Sequence, residues 1–436
     1  MSALAIVLSF FAAASFGLPL FLAIALMTLG FFTLAGGEGV LAAGIPVMTG
    51  MWKIKEAAIL VSLPFFTLAG SIMTAGGTSR RLVNIARALV GWLPGGLALA
   101  MILASTVFAA LSGSSAVTII AIGGILFTGL SRQGYKESFS LGLITSCGAI
   151  GILVPPSLPL IIYGVMAGVQ PGIRADIRDL FIGGIVPGIV CVLALMLYAV
   201  IYGKRAKIPR EKFAFAEVKK SLREGAFAIA LPVILLVGIY GGIATVSEVA
   251  AVAVMYALIV EIFVHKEIKV RDLPRIMVDA GTLVASILVI LFLAMAFTNY
   301  IVDEQIPDLA TEHLKSIVHT RTGMILAINL LLLVVGSIMD IFSALVIFAP
   351  LIVPIACAAP YNLDPIHLGI IFVVNLEIGF AHPPFGINLY VAASYFKKSV
   401  MQVTMAAIPF IIVMLGALML ISFVPELTLW LVGVMK

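Results

Sequence analysis

Charge is scarce in this 436-residue chain: 11% of residues are Asp, Glu, Lys or Arg, while 62% are hydrophobic. A soluble domain carries about 25% charged residues, so this inventory cannot furnish a water-exposed surface. Cysteine is nearly absent. Cys147, Cys191 and Cys357 all fall inside apolar segments, with neither the pairing of a disulfide framework nor the spacing of a metal site. No Gly-x-x-x-x-Gly-Lys-Ser/Thr segment occurs, which argues against ATP hydrolysis by this chain. No His/Asp/Glu grouping within the apolar blocks supplies the acid–base pair or metal cluster of a membrane-embedded enzyme. Nor is the net charge of +5 a nucleic-acid footprint, because the bases are concentrated in loops between apolar blocks.

What is present in quantity is uninterrupted apolar sequence. Residues 97–130 and 138–173 contain no charged side chain, and each block far exceeds the roughly 20 residues that cross a bilayer as a helix. The 40 Gly and 21 Pro sit largely inside such blocks, as they do in membrane helices. The block at 4–34 is too long for a cleaved signal and lacks a charged leader, so it reads as structure. The chain is an integral membrane protein.

Charge then sets orientation. The densest basic stretch holds Lys204, Arg205, Lys207, Arg210, Lys212, Lys219, Lys220 and Arg223, and the positive-inside rule places it in the cytoplasm. Arg80, Arg81 and Arg87 precede the uncharged block at 97–130, and Arg132 and Lys136 follow it. Both loops stay inside if that block enters, turns at Ser112-Gly113-Ser114-Ser115 and leaves on the same side. In the second half, the loop around Asp303, Glu304, Asp308 and Glu312 is acidic and should be outside. The block at 323–358 then carries one charge, Asp340, at its middle, and the next span delivers Lys397 and Lys398 to the cytoplasm. This second hairpin should therefore enter from outside.

A single offset relates the halves. Ile150-Gly151-x-x-x-Pro155-Pro156 recurs as Ile378-Gly379-x-x-x-Pro383-Pro384, and Ser115-Ala116 recurs as Ser343-Ala344, both 228 residues on. The expectation is an all-α polytopic protein of two inverted repeats, each with about five transmembrane helices, one of them broken at Pro-Pro, plus one re-entrant hairpin. The boundaries are 1–202 for the first repeat, 203–224 for a basic cytoplasmic connector and 225–436 for the second repeat. The hairpins fall at about 97–130 and 323–358, and the broken helices at about 138–169 and 367–393. The block at 4–34 is one long helix or two turning near Gly17-Leu18-Pro19. Residues 78–92 and 306–318 are amphipathic enough to lie along the interface as arms. Inverted repeats with paired discontinuous helices point to a secondary transporter with a midplane site.

Pro155-Pro156 and Pro383-Pro384 each remove two N–H donors and push the preceding residue out of the helical region. The freed carbonyls suit a hard cation, and helix N-termini beyond the break suit an anion. A plain proline kink is the bland alternative, but two in register, each paired with a hairpin tip, favour a site. Ser112, Ser114 and Ser115 offer more hydroxyls than backbone bonding within a helix can use. Asp340 near the bilayer centre costs about 2.5–3.5 kcal/mol on insertion scales, so it needs a partner or a function: Na⁺ binding, proton acceptance or hairpin closure. His382 reads either as a proton-coupling group or as a helix-end histidine touching water. Glu248 reads as a cap, and Asn388 as a contact to substrate or to backbone.

Those residues carry a family pattern. Ser112-Gly-Ser-Ser-Ala116, Gly148-Ala-Ile-Gly-Ile-Leu-Val-Pro-Pro-Ser157 and Asn375-Leu-Glu-Ile-Gly-x-x-x-Pro-Pro-Phe-Gly-Ile-Asn-Leu389 resemble the large membrane subunit of TRAP transporters, the DctM-like family. So do Thr245-Val-Ser-Glu-Val-Ala-Ala-Val-Ala-Val-Met-Tyr256 and Gly336-Ser-Ile-Met-Asp340 with the later Pro350 and Pro354. The resemblance implies an elevator-type importer of an organic acid anion in a bacterial inner membrane, not an enzyme, with Na⁺ as coupling ion and no cofactor. It implies two partners, a small four-helix membrane subunit and a periplasmic substrate-binding protein. It maps one sodium site onto Ser112, Ser114, Ser115, Gly148 and Gly151. The other maps onto Gly336, Asp340, Ser343, Gly379 and His382, where His382 stands in place of the family's usual Thr. Substrate would then lie near Ser114, Pro156, Ser157, Pro384 and Asn388. The alternative is a stand-alone sodium/dicarboxylate symporter that needs no binding protein.

Overall fold

A computed structural model describes residues 58–170, 172–303, 318–383 and 386–435, with a few positions between 22 and 33. Pro384, most of the block at 4–34 and the amphipathic segment up to 317 lie outside the described residues. Every regular element among the described residues is helical. That follows from the apolar blocks, because a backbone in hydrocarbon must bond to itself. Six described helices are long and apolar enough to cross a bilayer, and up to eight spans result if each of two bent pairs counts as one.

From residue 58 on, a 3₁₀ turn (Ala58–Val61) leads into α1 (Ser62–Ala75) and the amphipathic α2 (Thr78–Val90). A hairpin follows, formed by α3 (Gly96–Ser112) and α4 (Ser115–Arg132). Next come α5 (Glu137–Ile150) and α6 (Leu158–Gly168), bent by 48° across the first Pro-Pro pair. The long α7 (Ile177–Arg205) leads to α8 (Phe215–Glu224), which carries the last three bases of the basic stretch and meets α9 (Ala226–Tyr240) at 66°. α10 (Val246–Leu258) starts on a reciprocal cap in which the Thr245 side chain accepts from the Glu248 N–H and Glu248 accepts from the Thr245 N–H. After α11 (Leu273–Asp303), a second hairpin is formed by α12 (Arg321–Ile338) and α13 (Ile341–Cys357). A second broken pair, α14 (Pro365–Ala381) and α15 (Ile387–Phe396), precedes α16 (Val400–Phe423) and α17 (Glu426–Met435).

Two groups of helices emerge from the packing. α1, α9, α10 and α11 lean on one another, while the hairpins and broken pairs gather around α7 and α16. Each hairpin packs its first arm on the nearer broken pair, α3 on α5 and α12 on α14. Its second arm packs on the far half of the other pair, α4 on α15 and α13 on α6. The two halves are therefore interleaved.

The amphipathic α2 is held by charge at both ends. Thr78 donates to Glu261 at 3.0 Å, and Glu267 receives Arg80 at 3.2 Å, Arg81 at 2.8 Å and the Gly77 N–H. Partial burial works against the charged form of Glu267, but the Arg81 and Arg80 charges and the donated hydrogen bonds outweigh it and hold the carboxyl below the usual range. At the other end Arg87 donates to Glu211 at 2.8 Å, and Gln133 at the end of α4 donates to the same carboxylate at 2.9 Å.

Close helix crossings in this body depend on missing side chains. A methyl built on Gly142 of α5 would lie 2.0 Å from the Ala406 carbonyl oxygen of α16. Gly142→Ala should therefore force the two helices apart and cost about 1–3 kcal/mol, seen as a lower thermal unfolding midpoint in detergent. An unchanged midpoint would refute the crossing.

Candidate functional site

The first hairpin turns at Gly113, whose φ of +64° is the left-handed conformation that glycine adopts without penalty. Ser114 is the N-cap of α4 and accepts weakly from the Val117 N–H at 3.4 Å. The Ser112 hydroxyl sits 3.4 Å from Thr118 Oγ1, and Thr118 itself donates to the Ser114 carbonyl at 2.8 Å. Ser115 points the other way. Its hydroxyl donates to Asn388 Oδ1 at 2.8 Å, and Asn388 Nδ2 donates to the Thr145 carbonyl at 3.4 Å. Asn388 is fully buried, so this side chain from the second broken pair ties the first tip to the first broken pair.

Below the tip, the break in the first pair is a short 3₁₀ turn, Gly151–Leu153, with the Val154 N–H donating to the Gly151 carbonyl. A methyl on Gly151 would meet the Thr106 carbonyl oxygen at 2.2 Å, and one on Gly148 would meet the Ser115 carbonyl oxygen at 2.9 Å. Hairpin and broken helix thus touch through backbone. Ser157 caps α6 by accepting from the Leu160 N–H at 3.2 Å; its buried oxygen serves the helix end. Pro156 lines a narrow crevice with Ser112 and Gly113 of the tip, Gly70 of α1 and Leu235 of α9. That crevice is where the hairpin body faces the other helix group.

The second hairpin repeats the theme with different chemistry. Asp340 is the N-cap of α13: Oδ1 accepts from the Phe342 and Ser343 N–H groups at 3.0 Å each, and Oδ2 accepts from the Ser343 hydroxyl. Ser343 is wholly buried. Gly336 of α12 lies against Gly379 of α14, where a methyl on Gly379 would fall 2.7 Å from the Gly336 Cα. At the break, Gly386 packs against the carbonyl oxygens of Phe380 and His382 and donates its N–H to the His382 carbonyl at 3.1 Å. His382 ends α14 in extended conformation, and its Nδ1 has no hydrogen-bond partner among the described residues.

The structure therefore joins Ser115 with Asn388, Asp340 with Ser343, Gly336 with Gly379, and Ser112 with Pro156. It does not bond His382 to the Asp340 tip. Motif reading passed over Thr118 and Thr145, and over a buried polar chain behind the second hairpin. There Asn375 donates to Asn329 at 2.7 Å, Asn329 donates to Ser422 at 3.1 Å, and His367 reaches Thr428 at 3.1 Å. Thr118, one helical turn after Ser114, could have been found by spacing. The Asn329–Ser422 contact has no sequence signal.

Two hairpin tips seated on two helices broken at Gly-x-x-x-Pro-Pro, inside an all-helical apolar body, define a secondary transporter. The fold agrees: 93% of the chain superposes on 98% of the YdaH transporter of Alcanivorax borkumensis with a TM-score of 0.66 at 14% identity. The family model for the DctM component of tripartite ATP-independent periplasmic transporters matches residues 7–427, and the chain belongs to that family. Curated relatives include the C4-dicarboxylate TRAP transporter large permease protein DctM of Vibrio cholerae, 37% identical over 85% of each chain. Another is the isethionate TRAP transporter permease protein DctMQ of Oleidesulfovibrio alaskensis, 38% identical over 86% of this chain and 58% of that longer one. The chain is thus a multi-pass membrane permease subunit and not an enzyme.

If Asn388 holds the first tip, Asn388→Leu should destabilise more than Ser115→Ala, because it removes both bonds that link the tip to the first broken pair where the other removes one. The expected losses are about 2–4 and about 1–2 kcal/mol, read as thermal midpoints. Equal losses would remove Asn388 from that role.

Proposed function

We propose that this chain imports an organic acid anion, of dicarboxylate, sialic acid, keto acid or sulfonate type, across the bacterial inner membrane, driven by Na⁺. In this reading it is the large subunit of a TRAP system, working with a small four-helix membrane subunit and taking substrate from a periplasmic binding protein. The observation that carries it is the seating of each hairpin tip on a broken helix by direct backbone contact. Such seating brings the hydroxyls of the first tip and the carboxylate of the second beside the two breaks, and oxygens of these kinds suit a hard cation. The crevice between the first tip and the α1–α9 face has room for about one water, so in this reading the two helix groups must part there to admit substrate. Relatives named for C4-dicarboxylate and isethionate support an anionic substrate.

The inverted repeat belongs to the same reading. α3, α4, α5 and α6 begin at 96, 115, 137 and 158, and α12, α13, α14 and α15 begin at 321, 341, 365 and 387, close to the offset of the motifs. The exchanged second arms fit two copies related by an axis in the membrane plane. The body of hairpins and broken helices would then slide as a unit past α1 and α9–α11, an elevator motion.

Reconstituted with its small subunit and binding protein, the chain should show Na⁺-dependent uptake; uptake by the chain alone would defeat the tripartite reading. Asp340→Asn keeps the capping oxygen but loses the charge. It should insert and fold as the parent does while losing Na⁺-driven uptake, and normal uptake at limiting Na⁺ would refute coordination by Asp340.

Orientation has its own test. In a background without native cysteines, Arg80→Cys and Arg132→Cys should both label only from the cytoplasmic side. Labelling from opposite sides would sink the first re-entrant hairpin and the inversion with it.

A further inference from the structure

Away from the hairpins and breaks, the densest group of bases lies between α7 and α9. Residues 203–224 hold eight Lys and Arg against three Glu. Glu211 is taken by Arg87 and Gln133, and Glu224 stands 4.0 Å from Lys220. The other seven bases are exposed and form no ion pair among the described residues.

The helix that ends this stretch sorts its side chains. At about 3.6 residues per turn, Phe215, Val218 and Leu222 share one stripe of α8, and Lys219 and Arg223 flank it. Glu217 and Glu224 fall on the opposite side, where they line a polar groove with Asn84 and Arg87 of α2. The acids of α8 are thus turned toward α2, and the flanking bases are left without a carboxylate. Beside those bases the surface is apolar. Phe215 is 72% exposed and Phe213 56%. Trp92, just past the end of α2, is half-exposed and meets Phe213 edge-on at 6.1 Å between ring centroids.

The direction of α8 says what lies against this face. α9 follows after a single residue, Gly225, and carries no charge over its 15 residues. With α9 near the membrane normal, a helix leaving it at 66° runs closer to the plane of the bilayer than to its normal. A short helix in that plane, with aromatic and aliphatic side chains beside Lys and Arg, has the pattern of an interfacial helix. Clusters of four to eight bases next to a span attract anionic headgroups. A free phosphate would meet the bases but leave Phe213 and Phe215 in water. The bilayer surface satisfies both, and the chain already lies in it.

We propose that α8, the stretch before it and the end of α2 form a platform for anionic phospholipid. Phe213, Phe215 and Leu222 enter the upper acyl region, while Lys219, Arg223 and the bases before α8 hold phosphatidylglycerol-type headgroups, their stems lying along the apolar face. The platform is independent of the coupling ion and of the substrate. Because α2 leads straight into the first hairpin, lipid held here would fix the level from which that hairpin starts.

The test uses the full-length chain in lipid nanodiscs, with Trp52→Phe and Trp430→Phe leaving Trp92 as the one tryptophan. Two bilayers of equal phosphatidylglycerol and phosphatidylcholine content are compared. One carries bromine on the phosphatidylglycerol chains, the other on an equal fraction of the phosphatidylcholine. Brominated phosphatidylglycerol should quench Trp92 about twofold more strongly, and Lys219→Gln, Lys220→Gln and Arg223→Gln together should bring the two lipids level. Equal quenching in the parent would overturn the proposal and leave the face to a soluble acidic partner. A preference unchanged in the triple variant would overturn it too. If that variant fails to fold, salt decides on the parent: about 1 M NaCl shortens screening to about 3 Å and should abolish the preference, and a preference that survives refutes the platform.

Discussion

Everything at the centre of this protein depends on helices approaching until backbone meets backbone. Water-driven burial does not press helices together in a bilayer, and packing of small residues takes its place. Gly336 on Gly379, and Gly151 under the Thr106 carbonyl, set how deep each hairpin sits on its broken helix. A side chain at either crossing would lift the tip off the break. The prolines then act on a geometry that is already fixed, opening the ladder at the point the tip covers.

In the proposed reading the oxygens at the tips serve two ends. Ser114, Ser157 and Asp340 each close the first turn of a helix, so they are held in place before any ligand arrives. An ionised carboxylate has about four acceptor positions, and Asp340 uses three of them on α13 and Ser343. What remains for an ion is a single direction on a rigid oxygen. Preorganisation of this kind lowers the entropic cost of binding, and it would tie the affinity for the proposed ion to the integrity of the helix end.

The membrane class and the family were legible because they depend on local facts: uncharged blocks longer than a bilayer and doubled Gly-x-x-x-Pro-Pro motifs. One cap was legible too: Glu248 reads as a cap and closes α10 with Thr245, whereas Asp340 and Ser157 read as ligands and are seen to cap α13 and α6. Contacts between distant segments were hidden. Nothing in Ser115 or Asn388 announces the other, and Ser157 looked like a ligand until its helix was seen to use it. Periodicity shows which face of a helix is apolar; it does not show which helix will cover that face.

The hydrogen bond from Ser115 to Asn388 spans 273 residues of chain. A ribosome that has just finished the first hairpin and the first broken helix has yet to make the asparagine that holds them. The first half therefore inserts with Ser115 lacking its partner, and gains that bond and the packing of α15 on α4 only when translation nears its end. A truncation just before Asn388 would therefore loosen the first hairpin as well, far from the cut in sequence.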